Sequence, residues 1–367
     1  MKIMHVVEGF GGGVYSFLED LCNSLSEYNE IVLVYSRRDQ TPDRFEEDFC
    51  KNIKIINLQM QRKINFFDDA KNFFKLLNII KNEKPDILHL HSSKAGVLGR
   101  ISGKILGYKN WNMFYNPHGY AFLQENISYL KRTLYSVIER TMFLFGGTTI
   151  AVSKGEYLEG KKITKNIVRI DNSIDDDELK EIVKESKYSN IPVIGTIGRI
   201  TYQKNPELFN KIAQEFPKLT FIWIGDGELK SKLTSKNIYV TGWKKRYEAI
   251  KLMNKLDIYL QTSLWEGLPI ALLEAMYMGK PAIVNDVIGN RDVIIHNYNG
   301  FTSRSVDEYK KYINMLIGDR EVYESVSNNS KKYIEDNHLL KDMVQKYNEL
   351  YSMGVRYRTI ENFPVEL

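Results

Sequence analysis

Two short phrases in the second half of the chain place cations and carboxylates at the ends of strand-like runs. In Gly198-Arg199-Ile200-Thr201-Tyr202-Gln203-Lys204-Asn205-Pro206, a strand pattern ends in two cations, ahead of a helix that Asn205 would cap and Pro206 would open. Arginine offers a planar fork and lysine a mobile point charge, so this pair at a strand's carboxyl end suits a diphosphate. An isolated basic pair is more often solvated surface charge. What lowers that reading is the second phrase, Ser263-Leu264-Trp265-Glu266-Gly267-Leu268-Pro269-Ile270-Ala271-Leu272-Leu273-Glu274-Ala275-Met276, which again joins a strand end to a helix. Glu266 falls in the loop and Glu274 about five residues into the helix, ~7–8 Å along at ~1.5 Å per residue. The exposed N–H groups near residues 267–270, where Pro269 itself carries none, form an anion site between them, with one carboxylate in reach of a sugar and the other of a ribose. Glu274 sits among Ala271, Leu272, Leu273, Ala275 and Met276, where an unpaired carboxylate is costly. A buried acid with a ligand partner is expected there rather than a surface glutamate.

The first half is less specific. Gly9-Phe10-Gly11-Gly12-Gly13-Val14 follows a strand pattern but misses the dinucleotide fingerprint G-x-G-x-x-G, because Val14 stands where the last glycine is needed. It reads equally as a tight turn and as bare backbone that lets a phosphate or sugar approach a helix start. His118 follows a strand and precedes a glycine, whereas His5 and His91 read as strand histidines bonded to backbone. Asp175-Asp176-Asp177 contains a D-x-D, better explained as acids at a helix N-terminus than as a metal site. No His/Cys cluster has zinc spacing and no G-x-S-x-G or Cys/His nucleophile arrangement stands out, so no metal is expected.

These phrases hang on alternating strand and helix patterns. Strands are expected at Lys2–Glu8, Ile31–Tyr35, Ile53–Asn57, Asp86–His91, Met113–Pro117, Thr148–Ser153 and Val168–Asp171, with helices near Asp68–Lys81, Ala95–Leu106 and Tyr129–Phe145. After a charged stretch at 173–191, read as a linker carrying a short helix, the alternation restarts. Strands follow at Pro192–Arg199, Leu219–Gly225, Ile238–Gly242, Ile258–Thr262 and Pro281–Asn285, with helices near Pro206–Glu215, Arg246–Leu256 and Pro269–Met278. The fold class is α/β, with two Rossmann-like domains, 1–172 and 192–344, facing across a cleft. The last helix, about 345–367, is expected to pack back on the first domain.

With 367 residues, 43% hydrophobic and 26% charged, the chain is large enough for two or three cores and too apolar for disorder. Its net charge of +5 is too small to imply a nucleic-acid partner. The distribution is uneven: residues 1–50 carry 4 basic and 10 acidic groups, residues 51–112 carry 12 and 4, and residues 173–367 carry 27 of each. Two cysteines, Cys22 and Cys50, and a strand pattern beginning at Lys2 without a signal peptide point to a reduced cytoplasm. No eighteen-residue apolar run could span a bilayer.

Together these motifs resemble the GT-B-fold glycosyltransferases, specifically the retaining, nucleotide-sugar-dependent family 4. The resemblance covers nearly the whole chain and is strongest over residues 193–301. Gly198, Arg199 and Lys204 match the family's G-R-x-x-x-x-K diphosphate element, and Glu266 and Glu274 its E-x7-E spacing. Gly225-Asp226-Gly227, Thr241-Gly242 and Asn172-Ser173-Ile174-Asp175 also match, although Ser173 stands where the family usually has glycine. Gly11-Gly12-Gly13, His91-Ser92, Pro117-His118-Gly119 and Val152-Ser153 fall where the family has acceptor-side loops.

The resemblance implies transfer of a sugar, with retention, from a nucleotide donor of the UDP-hexose or UDP-N-acetylhexosamine kind to a saccharide acceptor, in surface polysaccharide synthesis. Arg199 and Lys204 would stabilise the leaving diphosphate, Glu266 the donor sugar or phosphate and Glu274 the ribose. His118 would orient the sugar, with Gly12, Gly13, Gly242, Gly267, Leu268 and Pro269 completing the donor site and no cofactor required. An epimerase of the same fold and a non-catalytic partner of another transferase are the alternatives. In 51–112 the positive charge is interleaved with apolar residues; Phe73, Leu77 and Ile80 read as a core stripe, whereas Phe66-Phe67 near the helix start do not. A basic surface with an aromatic edge suits peripheral contact with anionic lipid at the inner face of the membrane, and so an acceptor on a polyprenyl diphosphate.

Overall fold

The computed structural model describes residues 1–61, 65–124, 127–183 and 192–361. Arg62 and Lys63 of the basic stretch, residues 184–191 of the expected linker and the last residues of the expected C-terminal helix lie outside them. The chain divides into two compact units, one made of Met1–Leu123, Ile127–Asp171 and Lys341 onward, the other centred on Asn172–Leu340.

In the first unit the strands are β1 (Lys2–Phe10), β2 (Glu30–Arg37), β3 (Lys54–Asn57), β4 (Ile87–His91), β5 (Met113–Asn116), β6 (Thr148–Ala151) and β7 (Ile167–Arg169). They form one parallel sheet in the order β3-β2-β1-β4-β5-β6-β7. Helices α1 (Gly13–Leu25), α2 (Phe66–Glu83), α3 (Ser93–Ile105), α4 (Tyr129–Met142) and α5 (Lys154–Lys161) occupy the connections. Parallel pairing needs such crossovers, and the sheet is covered on both faces, so β1 and β2 are mostly apolar and β4 is buried at every residue, its two histidines included. In α2 the buried residues are Asn72, Leu76 and Ile80, with Phe73 and Leu77 only partly buried, so the core arc is rotated from the expected Phe73/Leu77/Ile80 stripe. Apolar residues on nearly every side of α2 leave its periodicity blind to which arc faces the sheet. Phe66 and Phe67 stand 88% and 90% exposed.

The second unit holds α6 (Asp177–Val183), β8 (Val193–Ile197), α7 (Pro206–Glu215), β9 (Thr220–Ile224), β10 (Ile238–Val240), α8 (Arg246–Asn254), β11 (Ile258–Gln261), α9 (Ile270–Tyr277), β12 (Ala282–Asn285), α10 (Asn290–Val293), β13 (Phe301–Ser303), α11 (Val306–Gly318) and α12 (Arg320–Asn337). Its sheet is again parallel, in the order β10-β9-β8-β11-β12-β13, over a core that includes Phe209, Phe221, Trp223, Leu260 and Tyr309. Strand β13 has no counterpart among the expected strands; Phe301-Thr302-Ser303 carries one large apolar residue, where β10 carries Ile238, Tyr239 and Val240. The start of the expected linker is part of this unit: Leu179 and Ile182 are buried, and Asn254 Nδ2 donates to Ile182 O at 2.9 Å. Ser173, standing where glycine is usual in the family, is not among the described residues with positive φ, so its turn takes an ordinary side chain.

Helix α13 (Leu340–Glu361) returns to the first unit, where Tyr347 and Tyr351 are fully buried. Gly354 lets it dock, since a Cβ there would stand 2.0 Å from the Trp111 carbonyl oxygen. Among the described residues no helix is long and apolar enough to cross a membrane.

Candidate active site

In open parallel sheets a crevice forms at the carboxyl edge where chain order reverses. In the second sheet that point lies between β8 and β11. The loops leaving these strands are tied together: Leu264 N donates to Gln203 O (2.8 Å), Gln203 Nε2 to Trp265 O (2.9 Å) and Thr262 Oγ1 to Lys204 O (2.7 Å). These bonds bring Lys204 Nζ to 2.7 Å from Glu266 Oε1, whose side chain is 8% exposed. Arg199, at the same edge, meets Glu228 at 3.1 Å. Both cations expected to take a diphosphate therefore hold carboxylates in this structure. The strand ends touch through backbone: a Cβ on Gly225 (φ 138°) would stand 2.3 Å from Gly198 O, so only glycine fits. Gly242 pairs with Gly225 across the same edge. Asp226 accepts from Gly227 N at 2.8 Å, and this bond holds its carboxyl below the usual range.

Gly267, Leu268 and Pro269 lead into α9, which no side chain caps and whose first turn has no acid. Its leading N–H groups thus face the loop that carries Glu266. Asn172 fixes that loop through Leu268 O at 2.9 Å. Glu274 is the fifth residue of α9 and is buried, but its partner is a protein cation, Arg246 Nη2 at 2.9 Å. Burial raises the Glu274 pKa and the Arg246 charge opposes the rise. In the acidic triplet, Asp175 Oδ1 accepts from Asp177 N at the start of α6 and Asp176 pairs with Lys180 at 2.9 Å.

The first sheet reverses between β1 and β4. Gly12 (φ 55°) precedes α1 and Gly13 opens it; a Cβ at either would meet nothing within 4 Å among the described residues, which leaves the backbone there bare of them. His118 lies just beyond β5 with φ 53°, a conformation that costs a non-glycine residue about 1–3 kcal/mol and persists only where its surroundings impose it. Glu156 is part of what imposes it: one oxygen accepts from Gly119 N at 2.6 Å, the other from Val152 N at 2.7 Å. His5 and His91 are not bonded to backbone as expected. His5 Nδ1 meets His91 Nε2 at 3.0 Å, and His91 Nδ1 meets His118 Nε2 at 3.0 Å. Burial pushes His5 and His118 down to about 3 and His91 well below the ordinary histidine range. Part of the His118 surface stays accessible, yet protein surrounds the ring densely enough to desolvate it.

Of the expected site residues, the structure thus groups Gly198, Arg199, Lys204, Gly242, Glu266, Gly267, Leu268, Pro269 and Glu274 in the second unit, and Gly12, Gly13 and His118 in the first. Sequence reasoning missed Glu228, Arg246 and Glu156. Only Glu156 left a signal, the S-x-x-E spacing of Ser153 and Glu156, in which Ser153 Oγ accepts from Glu156 N.

The family described as Glycosyltransferase Family 4 matches residues 11–178, and Glycosyl transferases group 1 matches residues 177–333. The chain is 28% identical over 337 residues to an Escherichia coli protein named UDP-Gal:alpha-D-GlcNAc-diphosphoundecaprenol alpha-1,3-galactosyltransferase, covering 84% of this chain and 82% of that one. It is 21% identical to the Campylobacter jejuni N,N'-diacetylbacillosaminyl-diphospho-undecaprenol alpha-1,3-N-acetylgalactosaminyltransferase, over 94% and 97% of the two chains. Among solved structures, Anabaena HepE in complex with UDP and glucose superposes with a TM-score of 0.78 at 19% identity, over 96% of this chain and 99% of that one. With the two family matches running from residue 11 to residue 333 over two parallel α/β units, the chain belongs to the GT-B-fold glycosyltransferases of family 4.

Proposed function

We propose that this glycosyltransferase moves a hexose or N-acetylhexosamine from a UDP-linked donor, with retention, to a saccharide carried on a polyprenyl diphosphate, in the synthesis of a surface polysaccharide. The observation that carries the reading is the Lys204–Glu266 pair, with Arg199 on the same β8 loop, at the switch point of the second sheet. Lys204 and Arg199 exchange their carboxylates for the donor diphosphate and stabilise the charge that grows on it as the glycosidic bond breaks, by preorganised electrostatics. Glu266 holds the transferred sugar, Glu274 the ribose, and His118 orients the sugar. No metal is required in this scheme. The donor and acceptor classes are supported by the names of the Escherichia coli and Campylobacter relatives.

Peripheral contact with the membrane belongs to the same proposal. Besides Phe66 and Phe67, α4 exposes Leu130, Leu134 and Val137 at helical spacing, beside the cations Lys131, Arg132 and Arg140. Apolar wedges flanked by lysine and arginine suit an anionic lipid surface. The assay is a panel of nucleotide sugars with a polyprenyl-diphosphate-linked saccharide, read by mass and by the anomeric configuration of the product. Transfer with an unchanged anomer supports the proposal; release of free sugar independent of acceptor overturns it in favour of an epimerase. Flotation with anionic vesicles, lost in Phe66→Ser/Phe67→Ser, tests the membrane contact.

A further inference from the structure

The first unit buries a line of three imidazoles running from the interior of β1 to the strained turn after β5. His5 is fully buried and its Nε2 has no hydrogen-bond partner among the described residues. The ring planes of His5 and His91 lie within 26° of each other and those of His91 and His118 within 20°, and in both pairs the centroids are 5.3 Å apart while the nitrogens approach to 3.0 Å, so the nitrogens lie between the rings and point along both contacts. A fourth histidine, His89, is fixed separately: the Asn116 amide donates to Ile150 O (2.9 Å), so its Oδ1 accepts from His89 Nε2–H (2.5 Å), and the Tyr351 hydroxyl donates to His89 Nδ1 (2.6 Å).

Proton counting leaves two arrangements for the line. A neutral imidazole has one N–H, so His91 donates in one contact and accepts in the other. If His91 donates to His5, then His5 carries its proton on the unpartnered, buried Nε2, and His118 presents a bare Nδ1. If His91 donates to His118, then His5 donates from Nδ1, leaves only a bare nitrogen buried at Nε2, and His118 carries its proton on Nδ1. Buried N–H groups without acceptors are rarer in proteins than under-used acceptors, so the second arrangement wins. We infer that His5 and His91 are positioning residues that lock His118 as its Nδ1–H tautomer, making it a hydrogen-bond donor from that nitrogen. All three rings stay neutral because burial disfavours the charged form.

Ring nitrogens of His5, His89 and His91 also lie within 4.8 Å of one another, a spacing that a metal ion accepts. Both nitrogens of His89 and of His91 are already engaged, however, which favours the relay.

The experiment is long-range 1H–15N correlation on the full chain labelled with 15N-histidine near pH 7.5, with signals assigned through single His→Gln variants and zinc content measured on the same sample. The expected result is a protonated Nδ1 on His5, His91 and His118, with His118 relaxing to a mixture of tautomers in His5→Leu. An Nε2–H form of His118 in the unaltered chain, an unmoved His118 in folded His5→Leu, or zinc bound in proportion to protein would each overturn the relay. The wild-type spectrum decides even if His5→Leu does not fold. The consequence for turnover rests on the role proposed above for His118, whereas the tautomer does not, so the two can fail separately. If both hold, His5→Leu lowers kcat about threefold to tenfold with KM little changed, the worth of one hydrogen bond. His5→Asn, which keeps an amide donor near the Nδ1 position, recovers much of the loss; no recovery in a folded His5→Asn would contradict the donor role of His5.

Discussion

Replacing Lys204 by alanine separates what the Lys204–Glu266 pair does for folding from what it does for turnover. At 2.7 Å the gross Coulomb attraction is ~6 kcal/mol at an effective dielectric constant of about 20. Most of it offsets the cost of taking a carboxylate that is 8% exposed, and a lysine 21% exposed, out of water. The net value of such a charged hydrogen bond is about 1.5–3 kcal/mol, so Lys204→Ala should lower the melting temperature of the second unit by about 5–10 °C without abolishing the fold. Turnover should fall much further. Losing one preorganised charge on the leaving diphosphate costs about 2.7–4 kcal/mol of transition-state stabilisation, or ~100- to 1,000-fold in kcat. Adding Glu266→Gln relieves the stranded carboxylate and should restore part of the stability but none of the turnover. Melting followed by circular dichroism and single-turnover transfer read by mass give the two quantities on the same samples. A folded Lys204→Ala retaining more than about a tenth of normal turnover would refute the electrostatic role.

Other perturbations have equally defined outcomes. Glu156→Ala strands two backbone N–H groups, those of Gly119 and Val152, and should cost about 3 kcal/mol in denaturant unfolding while lowering turnover through the displaced His118 turn; Glu156→Gln should fall between the two. Gly354→Ala should destabilise the first unit by about 1–3 kcal/mol, because the added Cβ would press on the Trp111 carbonyl, and an unchanged midpoint would mean that α13 does not dock this way. Stability should fall as pH drops from about 6.5 toward 3, since the unfolded chain takes up protons that buried histidines refuse. His5 alone, held at about 3, contributes ~2 kcal/mol of that loss by pH 5, and a midpoint flat between pH 7.5 and pH 5 would contradict it.

The residues that could be read in advance are those whose partners are close in sequence or whose type is informative alone. Asn205 caps α7 and Pro206 opens it because both act on the next turn of chain. Both sheets were legible because burial on two faces makes short runs of mostly apolar, β-branched or aromatic residues in β1, β8 and β11, while β4 is buried throughout despite its two histidines. Partnerships across long separations left no such trace. Arg246 opens α8 and Glu274 sits midway along α9, so their ion pair joins two separate helices, and nothing local distinguishes Arg246 from the cations around it. The imidazole line joins β1, β4 and the β5 turn, and it depends on which strands become neighbours when the sheet order reverses, which no spacing records. Even where periodicity existed, as in α2, the surplus of apolar residues hid which arc is buried, although Phe66 and Phe67, set apart from the core stripe by their place at the helix start, are exposed as expected.

The most direct test of the donor site is an experimental structure of the full chain with UDP bound. The diphosphate is expected within hydrogen-bonding distance of Lys204 Nζ, the Arg199 guanidinium and the leading N–H groups of α9, with the Lys204–Glu266 pair opened and the ribose against Glu274. UDP bound elsewhere, or bound with that pair intact and Glu274 still held by Arg246, would contradict it.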